Sequence, residues 1–355
     1  MIKSVIIGTG SYIPEVKVDN TTFVNHLFLD KTGTPIKQDN SLIIKKFHDI
    51  TGITERRYAK PDQLASDLGV LAAQEAITAA SIDRETLDYI IVAHNFGNLD
   101  YGSNRSNLLP SMASRIKAGL QVENPDCVGY DLPFGCPGWV QGVIQAHLYI
   151  KAEAAKRCLV IGTETLSRLL DPNDRDSMIY SDGSGAVVVE AREGEQGVVG
   201  YKAQTHALHH SELLNMGLSY SGNDTDSLYI KMNGRKVYEF ALNHVPLVVK
   251  SVLDKAGVHI SEISKVLIHQ ANEKMDAAIL DRLFKLYDID EVPNNNNVMP
   301  MTIGWLGNSS VATVPTLLDL ILKGNLEGHH IHPGDKIVMA SVGAGMNINA
   351  ILYQF

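Results

Sequence analysis

Three short motifs carry the residues best suited to chemistry, and the first contains a cysteine. Cys136 stands in Gly135-Cys-Pro-Gly138, directly before an apolar stretch that begins at Trp139. Because proline favours the first turn of a helix, the motif predicts a cysteine at the N-terminus of a buried helix. Main-chain N–H groups and the helix dipole favour a thiolate there, so we expect a thiol pKa below the reference of about 8.5. A cysteine standing alone is more often inert packing.

The second half of the chain offers two partners for that sulfur. His269 follows the apolar run 265–268, which predicts a strand, and open α/β folds build their sites at strand ends. Asn308 lies in the segment 305–312, which we expect to open another apolar helix with Asn308 on its first turn. The glycine-rich turn 340–346 follows the last buried strand and could direct main-chain N–H groups at an oxyanion.

The elements that must position these residues alternate along the chain. Helical periodicity marks Gln63–Ala80 and Val245–Ala256, the second with Gly257 as its C-cap. The alternation of helices with short apolar runs predicts an α/β fold with buried sheets. The runs that predict strands are Ser4–Ile7, Tyr89–Val92, Cys158–Ile161, Ala186–Val189, Val266–Ile268 and Lys336–Ala340.

An internal repeat relates these elements to one another. Residues 81–94 parallel residues 257–270 at an offset of 176 (257 − 81). The strand at 158–162 parallels 337–341 at an offset of 179 (337 − 158). Two agreeing offsets of about half the chain indicate a duplicated unit instead of a solenoid.

The repeat predicts two similar halves, residues 1–190 and residues 191–355. The polar, glycine-containing stretch 191–200 is the expected connection between them. Asn308 follows Cys136 by 172 residues (308 − 136), close to the offsets of the repeat. Cysteine, histidine and asparagine at corresponding element ends would then converge on one pocket between the halves.

Composition limits the classes of function. The chain is 45% hydrophobic and 20% charged, which is ordinary for a globular protein with a large core. No apolar run approaches the roughly 20 residues that span a bilayer, so we expect no membrane segment and a cytoplasmic protein. A net charge of −9 argues against a nucleic-acid binder. Three cysteines are too few for a disulfide framework, and we expect Cys127 and Cys158 to be core residues.

Two further features lie outside the strands and helices. The run Asn294–Asn297, between Pro293 and Pro300, predicts an inserted loop. Histidines cluster in two polar segments, but no cysteine or carboxylate pattern accompanies them, so surface histidines are favoured over a metal site. These histidines are His206, His209, His210, His329, His330 and His332.

Together the motifs resemble the β-ketoacyl-acyl carrier protein synthase III family of thiolase-fold condensing enzymes. The resemblance implies a thiolase fold of two pseudo-symmetric halves in a layered αβαβα arrangement, and a homodimer. It extends over almost the whole chain. The ordered motifs that carry it are 8–14, 51–56, Gly135-Cys136, 171–175, 181–186, 269–272, 307–309 and the glycine turn at 343–345.

The resemblance implies a triad of Cys136, His269 and Asn308 that works in two half-reactions. The Cys136 thiolate would attack an acyl thioester, while the amides of Cys136 and Ala344 stabilise the oxyanion. Malonyl-acyl carrier protein would then lose CO₂ with His269 and Asn308 bound to its thioester oxygen, and would attack the acyl-cysteine. The product would be a 3-oxoacyl-acyl carrier protein. No permanently bound cofactor or metal is implied, since coenzyme A and carrier-protein thioesters are the substrates.

The sequence departs from the family at the coenzyme A grip. Lys46 stands where the family often has a tryptophan that stacks on the adenine, and Ile50 where it has an arginine near the nucleotide phosphates. Arg175, on the other side of this clasp, is retained. The stretches 29–42 and 288–300 are longer than in the housekeeping enzyme, and loops near an entrance often decide specificity. We therefore expect a carrier-bound or unusual acyl donor and a specialised pathway, for example one making aryl polyenes or dialkylresorcinols.

Neighbouring families differ at specific residues. The turn at 343–345 has no cysteine, whereas thiolases carry a second cysteine there. Elongating synthases pair two histidines with the cysteine, whereas this chain offers Asn308. Plant-type polyketide synthases end in a proline-containing glycine motif, which the segment 342–346 does not match. A 3-hydroxy-3-methylglutaryl-coenzyme A synthase-like reaction stays an alternative, although no glutamate base stands in a recognisable motif. So does a non-catalytic partner of a condensing enzyme, although such a protein would usually have lost its nucleophile. The length of the acyl donor, and primary or secondary metabolism, stay open.

Overall fold

The computed structural model describes residues 2–293 and 295–355. Its strands are β1 (Ile2–Tyr12), β2 (Val16–Asp19), β3 (Glu55–Tyr58), β4 (Tyr89–His94), β5 (Val128–Pro133), β6 (Arg157–Thr165), β7 (Asp182–Glu193), β8 (Gly197–Thr205), β9 (Leu214–Gly217), β10 (Tyr229–Met232), β11 (Ile263–Ile268), β12 (Lys336–Gly343) and β13 (Asn347–Gln354). Its α-helices are α1 (Asn40–Thr51), α2 (Ala65–Ala80), α3 (Met112–Gly119), α4 (Gly138–Lys151), α5 (Gly234–Ala256), α6 (Glu273–Lys285), α7 (Asn295–Val298), α8 (Ile303–Leu306) and α9 (Thr313–Leu322). No described helix is long and apolar enough to cross a bilayer.

Two sheets with the same strand order form the centre of the molecule. The first runs β1-β7-β6-β4-β5 and the second β8-β13-β12-β11. In each sheet the first two pairings are antiparallel and the third is parallel. β4 therefore corresponds to β11 and β6 to β12, as the offsets of 176 and 179 predict. The predicted duplication is confirmed, and β5 extends the first sheet without a counterpart in the second.

The helices cover and separate these sheets. α4 and α9 pack between the two sheets, and almost every residue of α9 is buried because it meets apolar side chains on all sides. α2 and α3 cover the outer face of the first sheet, whereas α5 and α6 cover that of the second. The layers thus follow one another as αβαβα, and the predicted thiolase fold is confirmed.

Helix α5 begins eleven residues earlier than the predicted start at Val245. Pro246 lies inside the helix. A proline there leaves the carbonyl four residues earlier without its N–H partner. That carbonyl belongs to Leu242, and the Arg282 guanidinium donates to it at 3.1 Å. Gly257 ends the helix in the left-handed conformation, with φ 67°, as predicted.

Two expected connections differ from the structure. The asparagine run contains a helical turn, Asn295–Val298, because the Lys265 Nζ donates to the main-chain oxygen and to the Oδ1 of Asn297 at 2.6 Å each. Asn294 lies outside the described residues. Residues 191–193 belong to β7, whose polar end is exposed while it pairs with β1, and the connection is confined to 194–196. The division into 1–190 and 191–355 stays a prediction.

Candidate active site

Cys136 lies on the turn between β5 and α4. Gly135, with φ 73°, adopts the left-handed conformation that this turn needs, and its carbonyl accepts from the Gly138 N–H at 2.9 Å. Pro137, the residue after the cysteine, is the N-cap of α4, so Cys136 stands directly before the helix. The predicted placement at the N-terminus of a buried helix is what the structure has.

The glycine turn after β12 comes against this cysteine. A Cβ added to Gly343 would lie 2.7 Å from the Cys136 nitrogen, and one added to Gly135 would lie 3.0 Å from the Ala344 nitrogen. Asn347 joins the two turns, because its Nδ2 donates to the carbonyls of Ala344 at 2.7 Å and Phe134 at 3.3 Å. The amides expected to form the oxyanion hole, those of Cys136 and Ala344, therefore border one narrow space.

His269 comes directly after β11 and is buried. The main-chain N–H of His269 donates to the Ala340 carbonyl of β12 at 2.9 Å. The ring nitrogen Nδ1 has no hydrogen-bond partner in the described part of the chain. Burial lowers the pKa of His269 to about 4, with the Ser310 main chain acting in the opposite direction. The imidazole is therefore neutral above pH 4 and keeps one N–H to donate.

Asn308 lies between α8 and α9, not on the first turn of a helix as predicted. A 3₁₀ turn, Ser310–Ala312, precedes α9, and the asparagine is held before it by its main chain. Its N–H donates to the Ile179 carbonyl at 2.9 Å and its carbonyl accepts from Ser181 at 2.8 Å. Its Oδ1 accepts from the Ser310 N–H at 2.8 Å, and its Nδ2 group is the donor end of this side chain.

Ser310 joins the three predicted residues, although the sequence analysis did not single it out. Its hydroxyl donates to the Cys136 sulfur at 3.2 Å, its N–H holds Asn308, and its main chain faces His269. Its offset from Cys136, 174 residues (310 − 136), is close to the repeat offsets of 176 and 179, as is the offset of Asn308. That spacing was the signal that could have identified it.

The predicted lowering of the Cys136 pKa is wrong. Although the residue keeps contact with a cavity, the protein around the sulfur desolvates it and raises the pKa to about 11. The hydrogen bond from Ser310 lowers this pKa, whereas the nearby carboxyl of Glu164 raises it. Desolvation has a larger effect on this pKa than the hydrogen bonds that reach the sulfur. The resting site holds a thiol.

Two cavities lie near these residues, but neither His269 nor Asn308 lines either of them. The first has a volume of about 590 Å³ and the second, which contains Cys136 and Ser310, about 410 Å³. Segment 175–180 runs from one to the other, since Arg175 lines the first and Tyr180 the second. The two cavities are therefore neighbours along this segment.

The residues expected at the coenzyme A grip line the first cavity. Lys46, Ile50 and Arg175 all belong to its wall, and the Lys46 Nζ is held by Gln38 at 3.3 Å. Gln38 comes from the longer stretch 29–42, whereas no described residue of 288–300 lines either cavity. Of the described residues in the two longer stretches, only those of the first therefore line a cavity.

The histidine clusters show no metal site. His206 and His210 pack around Phe240 and His244, with the His206 Nε2 3.0 Å from the Gln204 Oε1. Across the described residues there is no group of three or more histidine, cysteine, aspartate or glutamate side chains that could hold a metal ion. Cys127 and Cys158 are buried and unbonded, as expected of core cysteines.

The layered fold and the sulfur held between its two halves define a condensing enzyme of the thiolase class. The family model of 3-oxoacyl-[acyl-carrier-protein] synthase III matches residues 130–207, and the model of the C-terminal part of this family matches residues 253–355. The chain belongs to this family, and the predicted resemblance is confirmed.

Individual relatives match along nearly their whole length. β-Ketoacyl-[acyl-carrier-protein] synthase III 1 of Vibrio vulnificus is 33% identical over 356 residues, which is 99% of each chain. The synthase III of Acaryochloris marina is 30% identical over 364 residues, with 99% of this chain and 97% of the relative covered. The crystal structure of 3-oxoacyl-[acyl-carrier-protein] synthase III from Aquifex aeolicus has a TM-score of 0.80 at 29% identity, covering 99% of this chain and 100% of that one.

The approach of the glycine turn to the cysteine can be tested by adding one methyl group. Gly343 has extended backbone, so Gly343→Ala adds no backbone strain and introduces clashes with the Cys136 nitrogen at 2.7 Å, the Pro137 Cδ at 2.7 Å and the Cys136 Cβ at 2.9 Å. Because this displaces an oxyanion donor, we expect the rate of Cys136 acylation to fall roughly 10²-fold or more. The control is Gly200→Ala in β8, where the nearest atom would lie 3.6 Å from the new Cβ. Equal acylation rates for the two variants would contradict this role.

Proposed function

We propose that Cys136 carries the acyl group and that His269 and Asn308 bind the thioester oxygen of the incoming malonyl group. The chain is an acyltransferase of the synthase III family, which condenses an acyl thioester with malonyl-acyl carrier protein to give a 3-oxoacyl-acyl carrier protein. The observation that carries the assignment is the pair of hydrogen bonds that Ser310 makes, one to the Cys136 sulfur and one to the Asn308 Oδ1.

In the first half-reaction the Cys136 sulfur attacks the acyl thioester. The thiol gives up its proton, and the leaving coenzyme A or carrier thiol takes one, so the step is neutral overall. Negative charge develops on the carbonyl oxygen in the tetrahedral intermediate. The amides of Cys136 and Ala344 are the donors that we place there, and their approach is supported by the bare Cα atoms of Gly135 and Gly343.

In the second half-reaction malonyl-acyl carrier protein loses CO₂, and the electron pair moves onto its thioester oxygen. Neutral His269 and the Nδ2 group of Asn308 are suited to bind this enolate, because both can donate a hydrogen bond in a buried site. The enolate carbon then forms a bond to the acyl carbonyl carbon. The bond to the Cys136 sulfur breaks, and a thiolate leaves.

These roles separate the two half-reactions experimentally. His269→Ala and Asn308→Ala should each lower malonyl decarboxylation roughly 10²- to 10³-fold, because each removes one donor to the enolate oxygen. Both should still accept an acyl group on Cys136, as mass measurement of the intact protein would show. Asn243→Ala, which removes an exposed asparagine that binds Arg282, is the control and should leave both steps unchanged. Loss of acylation together with decarboxylation in both variants would contradict this division.

The rival 3-hydroxy-3-methylglutaryl-coenzyme A synthase-like reaction needs a carboxylate base at the acetyl group. Glu164 is the carboxyl that acts on the Cys136 thiol, but it does not line the cavity that contains the sulfur. Its Oε1 accepts from both the main-chain and side-chain nitrogens of Asn95. We infer that malonyl-acyl carrier protein discharges the acyl-enzyme. Turnover with acetoacetyl-coenzyme A alone would contradict this.

We propose an acyl donor larger than acetyl. The cavity at Cys136 has about 410 Å³, many times the share of about 30 Å³ that one water occupies, so two carbons would leave most of it empty. Its wall is mostly apolar, which suits an alkyl or aryl chain. The apolar side chains are Phe96, Phe134, Leu166, Leu214, Met216 and Ile230. Lys46 and Ile50 at the entrance support a carrier-bound donor, as they replace the usual coenzyme A contacts.

A panel of acyl donors would test this choice. Acetyl, butyryl, hexanoyl and octanoyl thioesters, each on coenzyme A and on carrier protein, are compared by acylation of Cys136. We expect octanoyl to be faster than acetyl by roughly tenfold or more, since each buried methylene contributes about 0.8 kcal/mol, and carrier thioesters to be faster than those of coenzyme A. Met216→Phe should slow octanoyl but not acetyl transfer. Acetyl-coenzyme A as the fastest donor would contradict both expectations.

We also propose a cytoplasmic homodimer. β5 is an edge strand, and an exposed edge is ready to pair with a second copy. Asp131 of β5 binds the Met112 N–H, so the preceding residues Leu108 and Leu109, exposed by 53% and 86%, lie beside that edge. The free cysteines support a reducing compartment, where acyl carrier protein would be the partner.

Light scattering of the full chain would test the dimer. We expect twice the chain mass of 38.8 kDa, and a single-chain mass for the double variant Leu108→Asp and Leu109→Asp, because two carboxylates would enter the apolar contact. Leu208→Asp, at a residue exposed by 79% in the other half, is the control and should remain dimeric. A single-chain mass for the unmodified protein at micromolar concentration would contradict the proposal.

A further inference from the structure

A chain of hydrogen bonds leads from a buried carboxyl to the reactive sulfur. Glu164, at the end of β6, is 2% exposed, and its Oε1 accepts from the Asn95 main-chain N–H at 2.8 Å and from the Asn95 side chain. The Asn95 Nδ2 also donates to the Ser310 hydroxyl at 2.9 Å. That hydroxyl in turn donates to the Cys136 sulfur at 3.2 Å.

The chain has a fixed direction. The Glu164 Oε1 already accepts from the Asn95 main-chain N–H, so the Asn95 amide presents its NH₂ group to that oxygen whether or not the carboxyl is protonated, and one of its two hydrogens remains for Ser310. Since the Ser310 oxygen accepts from Asn95, its own hydrogen is free to point at the sulfur. The hydroxyl of Ser310 therefore serves as a donor to Cys136, and the sulfur as the acceptor.

The backbone of Ser310 supports a functional role. Its φ of 53° lies in the left-handed region, which costs energy for a residue other than glycine and persists only where the surroundings impose it. Here its N–H is bound to Asn308 while its hydroxyl reaches the sulfur. A residue held in that conformation with both polar groups engaged is placed for the chemistry of its neighbours.

We propose that Ser310 is a further catalytic residue, which stabilises the Cys136 thiolate by a hydrogen bond whose direction is fixed by the positioning residues Asn95 and Glu164. The proposal rests on the function proposed above. In the condensation step, the new carbon–carbon bond forms, the carbon–sulfur bond breaks and the electron pair stays on sulfur. Ser310 keeps its proton throughout and lowers the energy of this leaving thiolate, because hydrogen bonds to charged acceptors are stronger than those to a thioester sulfur.

The charge on Glu164 acts in the opposite sense. Burial is the main cause that raises the pKa of Glu164, to about 8, while the bonds from Asn95 oppose it. When the carboxyl loses its proton, the new negative charge disfavours a thiolate at Cys136. The other titratable groups around the sulfur are His269, neutral above pH 4, and Tyr180, whose buried hydroxyl has a strongly raised pKa and stays protonated. Neither changes charge between pH 7 and 10.

The test is the rate at which iodoacetamide alkylates Cys136 between pH 7 and 10, followed by peptide mass in the full chain. Below the thiol pKa this rate follows the thiolate fraction. Ser310→Ala should lower it about tenfold at every pH, the effect of losing a charge-assisted hydrogen bond. Asn95→Ala should lower it less, because the hydroxyl survives without its orientation. Ser309→Ala, which removes a hydroxyl that contacts Thr313, is the matched control and should leave the rate unchanged.

Glu164→Gln should change the alkylation rate of Cys136 in the opposite direction. Glutamine keeps an acceptor for Asn95 but cannot become charged, so the alkylation rate should rise, most clearly above pH 8. The unmodified protein should show a flattened increase above that pH, and the variant should not. A variant that is only misfolded would change the rate without this change of shape.

Two results would overturn the proposal. One is a Ser310→Ala profile that coincides with that of Ser309→Ala. The other is a Ser310→Gly profile at the unmodified rate, since glycine removes the hydroxyl but tolerates the left-handed backbone. The assay contains neither acyl donor nor malonyl group. Failure of the proposed condensation would appear instead as absent acylation, and the two failures are thus distinguishable.

Discussion

The hydrogen bond between Ser310 and the Cys136 sulfur connects the two halves of the molecule at the point of reaction. The cysteine belongs to the turn before α4 in the first half, and the serine to the turn before α9 in the second. The same serine holds Asn308 through its N–H. A shift between the halves would therefore change the position of the nucleophile relative to both Ser310 and Asn308, one of the proposed enolate donors. The duplicated fold therefore supplies two helix starts that face one another.

Backbone approach is the second constraint on the site. The glycine turn after β12 can lie against Cys136 only because Gly343 has no Cβ. Asparagine side chains secure this approach, Asn347 between the two turns and Asn349 through a bond of 3.0 Å to the Pro137 carbonyl. Two main-chain N–H groups consequently border one space without any charged side chain, which suits an oxyanion that exists only briefly.

Burial sets the protonation states of this site. Desolvation keeps His269 neutral and Cys136 protonated in the resting protein. A neutral imidazole can donate to an enolate oxygen without attracting the malonate carboxylate, which must depart as CO₂. The raised thiol pKa also makes hydrogen bonds to sulfur more valuable, because each one offsets part of the cost of forming a buried anion.

Part of the architecture could be predicted from patterns in the sequence. β-Branched runs predicted six of the thirteen described strands, because such runs depend on side chains close in sequence, and the repeat predicted which strands of the two sheets correspond. The layered arrangement was predicted only by the resemblance to a family. The start of α5 could not be predicted, since Arg282, distant in sequence, compensates for Pro246. The prediction of a lowered Cys136 pKa was wrong for a similar reason. Its position at a helix end is a local property, but desolvation of its sulfur depends on tertiary packing.

The three residues of the proposed triad were predicted from their motifs and from the resemblance, but the hydrogen bonds that connect them were not. The offset of Ser310 from Cys136 is close to those of the repeat, yet nothing in the motif distinguished Ser310 from Ser309. Asn95 and Glu164 follow or end apolar strands and resemble ordinary strand-end residues. Only the folded chain brings the three polar groups into line with the sulfur.

The central claim is that Cys136 carries the acyl group and passes it to a malonyl-derived enolate. The most direct measurement incubates the protein with an octanoyl-carrier thioester, maps the adduct by peptide mass and then adds malonyl-acyl carrier protein. The account predicts an octanoyl group on Cys136 alone, with Cys127 and Cys158 unmodified, and its discharge with release of CO₂. An adduct on another residue, or an octanoyl-Cys136 that malonyl-acyl carrier protein fails to discharge, would contradict it.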